Sequence, residues 1–542
     1  MTAHELAEAP AATGQGAAPA PAAPDARGSW WPLAALVVLS VAGVVLRIIV
    51  AHQSLFADEL STYWISATHG LGGVLKLLYS VGPIKHAEIT PPLYFVLAWA
   101  TSQFGHSPEL LRLPSLIAGT ATIPVVYLLG LRTVGRRAAL VATAATALAP
   151  FTVYYSANAR AYAVMILAVT VSTLAMLLAL DTGRARWWAV YAVAACAAVY
   201  SHYTCVFVLG AQWVWVMWAH PEARRAAVIA TAAAAAGVLP WLPGLINDYR
   251  SPTVKILNAL SPFTFRDIRI DVTHWVIGYP ETFAGGLTHL PGWPALVLLA
   301  VAGAIGVAVL IRAIATGRAT ADRRVLLVAA LAVVTLVAEV VAGAVGHSLI
   351  STRDLGASWP YLALGAAAVL NLCDRRVALL AAGLALAGLA IGSVKMLGGD
   401  FQRPDYRAAA HDVSDLVRPG DVVIDETGAL SPGPLTGLDV ALGRTLPLIR
   451  AEAPVERDHP FTFGDPIVSL PQAVAEAVRR ADGHHVFVVR NGFVTDIASL
   501  AGRVAPGQTR FPDGYHLVAQ RAYPGLGATV VQVFAGGGPA QP

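Results

Sequence analysis

Charge is scarce in this chain. Of 542 residues, 13% are Asp, Glu, Lys or Arg, while 56% are hydrophobic. The mean hydropathy is +0.60. A soluble globular chain carries about 25% charged residues, so the balance indicates a polytopic membrane protein. An excess of one sign is lacking too. The 37 basic and 33 acidic residues leave +4, too little to argue for a nucleic-acid partner. Cysteine is nearly absent. Cys196, Cys205 and Cys373 lie in or beside apolar segments without a C-x-x-C spacing, which excludes a disulfide framework and a cysteine zinc site. No internal repeat of the kind that marks many transporters appears. After Asp400 no nucleophile and no Gly-rich phosphate loop stands out.

Long apolar runs are present in quantity. Residues 1–28 are rich in Ala, Pro and Gly and have almost no large apolar side chains, so they read as a disordered cytoplasmic tail. Trp30 to Val50 is long enough to span a bilayer. It lacks a small-residue cleavage site, so it reads as a retained helix. Further apolar runs fall at roughly 112–131, 138–155, 161–180, 187–202, 203–219, 226–246, 292–314, 325–346, 356–373 and 377–395. Leu93 to Phe104 is short for a span. If it stays at the interface, Arg132, Arg136, Arg137, Arg184, Arg186, Arg224, Arg225, Arg312, Arg318, Arg323, Arg324, Arg375 and Arg376 share one side, the cytoplasmic one. The expectation is therefore about eleven spans, N-terminus inside, in a cytoplasmic membrane. Loops 51–111, 154–160, 200–203, 247–291 and 347–355 would then meet on the outer face. Residues 29–398 form the membrane domain. Residues 399–542 form a small outer α/β domain, with helices at 405–416 and 471–480 and strands at 421–425, 485–490, 515–520 and 528–534.

Asp58-Glu59 stands just past the first span. Paired carboxylates so close to lipid are expensive to hold and point to a task. One of them can take a proton from a hydroxyl nucleophile; a turn carboxylate is the plain alternative. Four further stretches accompany the pair: Thr90-Pro91-Pro92-Leu93-Tyr94-Phe95, Leu111-Arg112-Leu113-Pro114-Ser115, Tyr154-Tyr155-Ser156-Ala157-Asn158-Ala159-Arg160-Ala161-Tyr162, and Arg353-Asp354-Leu355. In order and spacing, the set resembles the GT-C membrane glycosyltransferases. The nearest branch is that of the bacterial relatives of protein O-mannosyltransferases and lipid A aminoarabinose transferases. The resemblance is good over about 30–210 and weaker to about 395.

This resemblance implies an inverting enzyme that moves a sugar from a polyprenyl-phosphate donor to an acceptor on the outer face. Asp58 aligns with the family's first-loop aspartate and is the expected base. Glu59 either orients it or is a solvated loop residue. Glu88 resembles a glutamate that contacts substrate or metal in the aminoarabinose branch, and Lys85 and His86 beside it can meet a phosphate; a solvated face of an amphipathic loop is the equal alternative for each. Asn158 stands where many relatives are acidic, so no second carboxylate carries over. It can still bond the sugar, with Tyr155 and Tyr162 nearby. Arg160 is expected to grip the leaving phosphate, or else to pair with Asp58 or Glu59. Arg353 is the second phosphate candidate, with a topological or structural role as the equal alternative.

His202 is either a polar cap or, with Glu88, a partial metal site. No cofactor is required by this scheme, and a divalent metal stays open. Arg47 is expected to snorkel or to pair with the acidic dyad. Glu339 is an intramembrane acid without an assigned role. In loop 247–291, Tyr249, Arg250, Lys255, His274, Trp275 and Tyr279 suit either sugar stacking or interfacial anchoring. Trp213, Trp215 and Trp218 read as an interfacial belt. The expected partners are the lipid-linked donor, a cell-envelope acceptor and membrane lipid. A transporter or flippase of lipid-linked sugars is the rival from another class. An inactive scaffold is the third reading, prompted by Asn158.

Overall fold

The computed structural model describes residues 30–79, 88–251, 263–280, 290–318, 322–347, 350–428, 435–443, 445–452, 468–491, 509–512, 514–525 and 528–537. The expected tail at 1–28, together with Lys85, His86 and Lys255, lies outside them.

Twelve helices build the first half: α1 (Trp31–Ala51), α2 (Asp58–Ala67), α3 (Leu71–Tyr79), α4 (Leu93–Ser102), α5 (Pro108–Thr133), α6 (Arg136–Leu148), α7 (Pro150–Ser156), α8 (Tyr162–Thr182), α9 (Ala185–Val199), α10 (Cys205–Ala219), α11 (Arg224–Val238) and α12 (Leu242–Arg250). Four apolar helices follow in the bundle: Trp293–Ala315, Arg323–Ala344, Trp359–Val369, which 3-10 turns extend to a span over Asp354–Leu372, and Arg375–Met396. Among the described residues, eight segments are long and apolar enough to cross a membrane, or nine if the bent pair α6–α7 is one span. The chain is a multi-pass membrane protein. The apolar helices α9 and α10 have 15 residues each, short of the ~20 a perpendicular crossing needs. The expectation of about eleven is thus corrected to eight or nine among the described residues, because two of the expected runs, α9 and α10, form helices shorter than a perpendicular span. α4 has 10 residues, too few to cross.

The break between α6 and α7 bends by 55° and has an identifiable cause. Pro150 has no N–H to give the carbonyl of Thr146. The Phe151 N–H donates instead to the Gly278 carbonyl at 2.9 Å. In lipid such freed carbonyls need other donors, and Arg47 of α1 supplies them. Its Nη2 donates to Thr146 O at 3.0 Å and its Nη1 to Ala147 O at 3.1 Å. Arg47 is fully buried, so it neither snorkels nor meets the acidic pair. A charge inside an apolar run gives no sign of which carbonyls it will serve.

At one end of the bundle Arg132 bonds Asp181 at 2.7 Å, and Arg324 reaches the same carboxylate. Arg323 donates to Ala219 O at 3.4 Å. The ends of α5, α8 and α10 and the start of Arg323–Ala344 therefore meet there. The opposite end carries Asp58, Arg160, His202 and Arg353.

The C-terminal part is a six-stranded sheet with strands β1 (Val422–Glu426), β2 (Leu448–Glu452), β3 (Val468–Ser469), β4 (Val486–Asn491), β5 (Tyr515–Tyr523) and β6 (Thr529–Gly536). The order is β3-β2-β1-β4-β6-β5. β1 pairs parallel with β2 and β4, while β6 runs antiparallel to β4 and β5. β1 and β4 open as apolar runs, Val422–Ile424 and Val486–Val489, because both faces are covered there. Val423, Phe487 and Val489 pack under helix Tyr406–Leu416. Ile424, Val486 and Val488 pack under helix Leu470–Ala481. Strands β2 and β3 were not legible: β2 is short and carries Arg450 and Glu452. The sheet domain joins the bundle directly, since Leu435 packs in one cluster with Leu55, Leu60 and Tyr63.

A candidate active site at the end of the bundle

Asp58 and Glu59 open α2, so they lie at a helix N-terminus, where carboxylates are favoured by the macrodipole. The residue before them, Ala57, has φ 50° and ψ −126°. A β-carbon is disfavoured there.

The two carboxylates have different surroundings. Glu59 is 1% exposed. Arg112 Nε and Nη2 donate to its two oxygens at 2.7 and 2.6 Å. Arg403 Nε lies 3.1 Å from Oε2, and the Ala159 N–H donates to Oε1 at 2.8 Å. Burial alone would raise this carboxyl, but the Arg112 and Arg403 guanidiniums hold it below the usual range. Glu59 is therefore no solvated loop residue. It ties the first loop to α5, to the α7–α8 junction and to the chain after the last span. Asp58 stays accessible, its side chain 41% exposed, with Oδ2 3.3 Å from Arg353 Nη1.

Glu88 and Arg160 form a second buried pair. Arg160 Nη1 and Nη2 bond Oε2 and Oε1 at 2.6 and 2.9 Å, and Nη2 also reaches Thr90 Oγ1 at 2.7 Å. Ser61 Oγ and the Thr90 N–H donate to the same carboxylate at 3.2 and 3.1 Å. Burial works to raise Glu88, yet Arg160 and Thr90 hold it low. Arg160 is thus not paired with Glu59, and its fork is already occupied by Glu88. Asp58 lies within its electrostatic reach.

Arg353 and Asp354 lead into the Trp359–Val369 helix at the same end of the bundle as Asp58. Asp354 Oδ1 is 3.4 Å from His202 Nε2, and its Oδ2 accepts from Ser351 Oγ at 2.6 Å. His202 Nδ1 is 3.0 Å from Thr204 Oγ1. Burial pulls the imidazole below its usual value although Asp354 opposes this. The Tyr162 ring sits 5.4 Å from that of His202 and 5.1 Å from Tyr155. Tyr155 is 2% exposed and packs on Phe151, so it braces Tyr162 from below. Asn158 Oδ1 is a buried acceptor with no hydrogen-bond donor among the described residues.

The structure therefore gathers Asp58, Glu88, Asn158, Arg160, Tyr162, His202 and Arg353 at one place. Other expectations are corrected. Trp275 and Tyr279 are core side chains, 2% and 0% exposed, unsuited to sugar stacking. His274 Nδ1 is 2.9 Å from Pro280 O. Trp213 and Trp218 face outward while Trp215 is buried. Among the described residues no group of three His, Cys, Asp or Glu is placed to hold a metal ion. Glu88 and His202 each face another partner, Arg160 and Asp354. Glu339 is buried, with both oxygens unbonded among the described residues. Sequence reasoning passed over Arg112 and Arg403. Arg112 had a signal, a charge within the apolar run Leu111–Leu113; Arg403 had none.

The family described as dolichyl-phosphate-mannose-protein mannosyltransferase matches residues 89–246, the stretch that carries Arg112, Asn158, Arg160 and His202. No curated protein sequence matches the chain. Among solved structures, ArnT from Cupriavidus metallidurans bound to undecaprenyl phosphate is similar, with a TM-score of 0.53 and 14% identity, over 93% of this chain and 98% of that one. The same ArnT in the apo state gives 0.51 and 14%, over 93% and 97%. The apo oligosaccharyltransferase of Archaeoglobus fulgidus gives 0.51 and 14%, over 86% and 70%. These likenesses establish the fold, which is that of ArnT and of the matched part of the oligosaccharyltransferase.

Proposed function

We propose that the protein is an inverting glycosyltransferase that moves one sugar from a polyprenyl-phosphate donor to a hydroxyl acceptor of the cell envelope, outside the cytoplasmic membrane. The observation that carries this reading is the accessible Asp58 carboxylate, 3.3 Å from Arg353. Asp58 takes the acceptor's hydroxyl proton. The acceptor oxygen bonds to the anomeric carbon as the bond from that carbon to the phosphate oxygen breaks. The electron pair leaves with the phosphate, so the configuration inverts in one displacement. The arriving phosphate competes with Asp58 for Arg353, which frees the base as the donor binds.

Arg160 contributes field, and its fork reaches a phosphate only by exchanging Glu88. Asn158 Oδ1 accepts from a sugar hydroxyl. The outer location is supported by the cluster of arginines at the opposite end of the bundle. No metal is required in this scheme, so excess EDTA is expected to leave turnover within about twofold of untreated protein; loss of turnover that a divalent ion restores would correct it.

The test is transfer by purified protein in nanodiscs, with a panel of radiolabelled polyprenyl-phosphate sugars and a cell-envelope extract as acceptor. Labelled acceptor with matching release of polyprenyl phosphate is expected for at least one sugar. No release from any donor by folded protein would overturn the reading and move a transporter or scaffold role ahead.

A further inference from the structure

We infer that Asp271, on the outer-loop helix Phe265–Val276, is a positioning residue for Arg353 and acts through Thr352; this rests on the reading of Arg353 as the donor-phosphate ligand. The Thr352 N–H and Oγ1 both donate to Asp271 Oδ1, at 3.1 and 2.7 Å. Thr352 is 1% exposed, so water does not replace these bonds. They fix the backbone just before Arg353. On its other side Asp354 is held by Ser351 and faces His202. Arg353 thus projects from a stretch clamped at both flanks, and one clamp belongs to a helix outside the bundle's spans. A guanidinium so mounted loses little freedom when it turns from Asp58 to a phosphate.

Burial raises the Asp271 carboxyl to about 6, with the Thr352 bonds opposing and Asp354 and Asp267 adding to the rise. Glu339, on the neighbouring helix Arg323–Ala344, is also within electrostatic reach. Above that pH the carboxylate accepts both bonds with full charge. As pH falls through it the carboxyl is neutralised and the clamp weakens.

The experiment is binding of undecaprenyl phosphate, without sugar, to the full-length protein in nanodiscs. Asp271→Ala is expected to raise Kd ~10-fold, and Arg353→Ala at least as much. Asp271→Asn keeps the acceptor oxygen, so its Kd at pH 7.5 should stay within about twofold of wild type. Between pH 7.5 and 5.5 the wild-type Kd should rise beyond that of Asp271→Asn by no more than about twofold, since the protonated carboxyl keeps an acceptor oxygen as the amide does; the phosphate's own titration is common to both. Where Asp271→Ala fails to fold, Thr352→Val carries the test with a smaller rise, since only the hydroxyl bond is lost. Wild-type affinity in Asp271→Ala or Thr352→Val, beside weakened Arg353→Ala, would overturn the positioning role alone. Wild-type affinity in Arg353→Ala would overturn it together with the phosphate reading.

Discussion

Asp58 and Glu59 are chain neighbours in opposite surroundings, and that contrast divides their work. Glu59 has two guanidiniums and a backbone N–H on its oxygens, out of water. Removing one partner of such a buried pair leaves an uncompensated charge, at about 3–5 kcal/mol. Glu59→Gln should therefore lower thermal stability in nanodiscs by that order, as followed by melting; an unchanged melting curve would refute the anchoring role. The folded Glu59 carboxyl lies below its ordinary 4.5. Its contribution is thus present above about pH 4.5 and is lost as pH falls through the depressed folded value. Asp58, by contrast, stays accessible, and its ion-pair partner Arg353 is one that a phosphate can draw away.

At the scale of the element, α2 is short and begins from a strained residue. Ala57 sits at φ 50°, where glycine is at ease and alanine is not. Ala57→Gly should stabilise the protein by roughly 1 kcal/mol while loosening the entry to Asp58, so kcat is expected to fall as the melting temperature rises. Should both rise together, the strain has no part in holding the base. The broken span is the second telling element. Pro150 was visible in the sequence, but the run 138–155 read as one span because its apolar content continues across the break. The donor that heals it, Arg47, lies about a hundred residues earlier and announces nothing by its spacing. Arg47→Met strips the freed carbonyls of their guanidinium and should cost about 1–3 kcal/mol.

For the whole molecule, most apolar helices and the clustered residues Asp58, Glu88, Arg160, His202 and Arg353 were legible, because charge stands out against apolar runs and falls at one end of them. The pairings were not, since Glu88 meets Arg160 across 72 residues and Glu59 meets Arg403 across the whole membrane part. That second pairing binds the sheet domain to the site. Arg403 also stacks over Tyr154 at 5.1 Å, and Arg407 bonds His52 O and Glu109 at 2.8 Å. A chain ended after Leu397 should consequently lose stability and transfer together, and a stable, active truncation would show the domain to be dispensable.

The central claim, an Asp58 base released from Arg353 by the donor, is tested most directly by Asp58→Asn in nanodiscs, with transfer and undecaprenyl phosphate binding measured on one preparation. The account predicts transfer slowed by ~10²–10⁴-fold with lipid-phosphate affinity equal to wild type or tighter. Full transfer activity in that variant would contradict it.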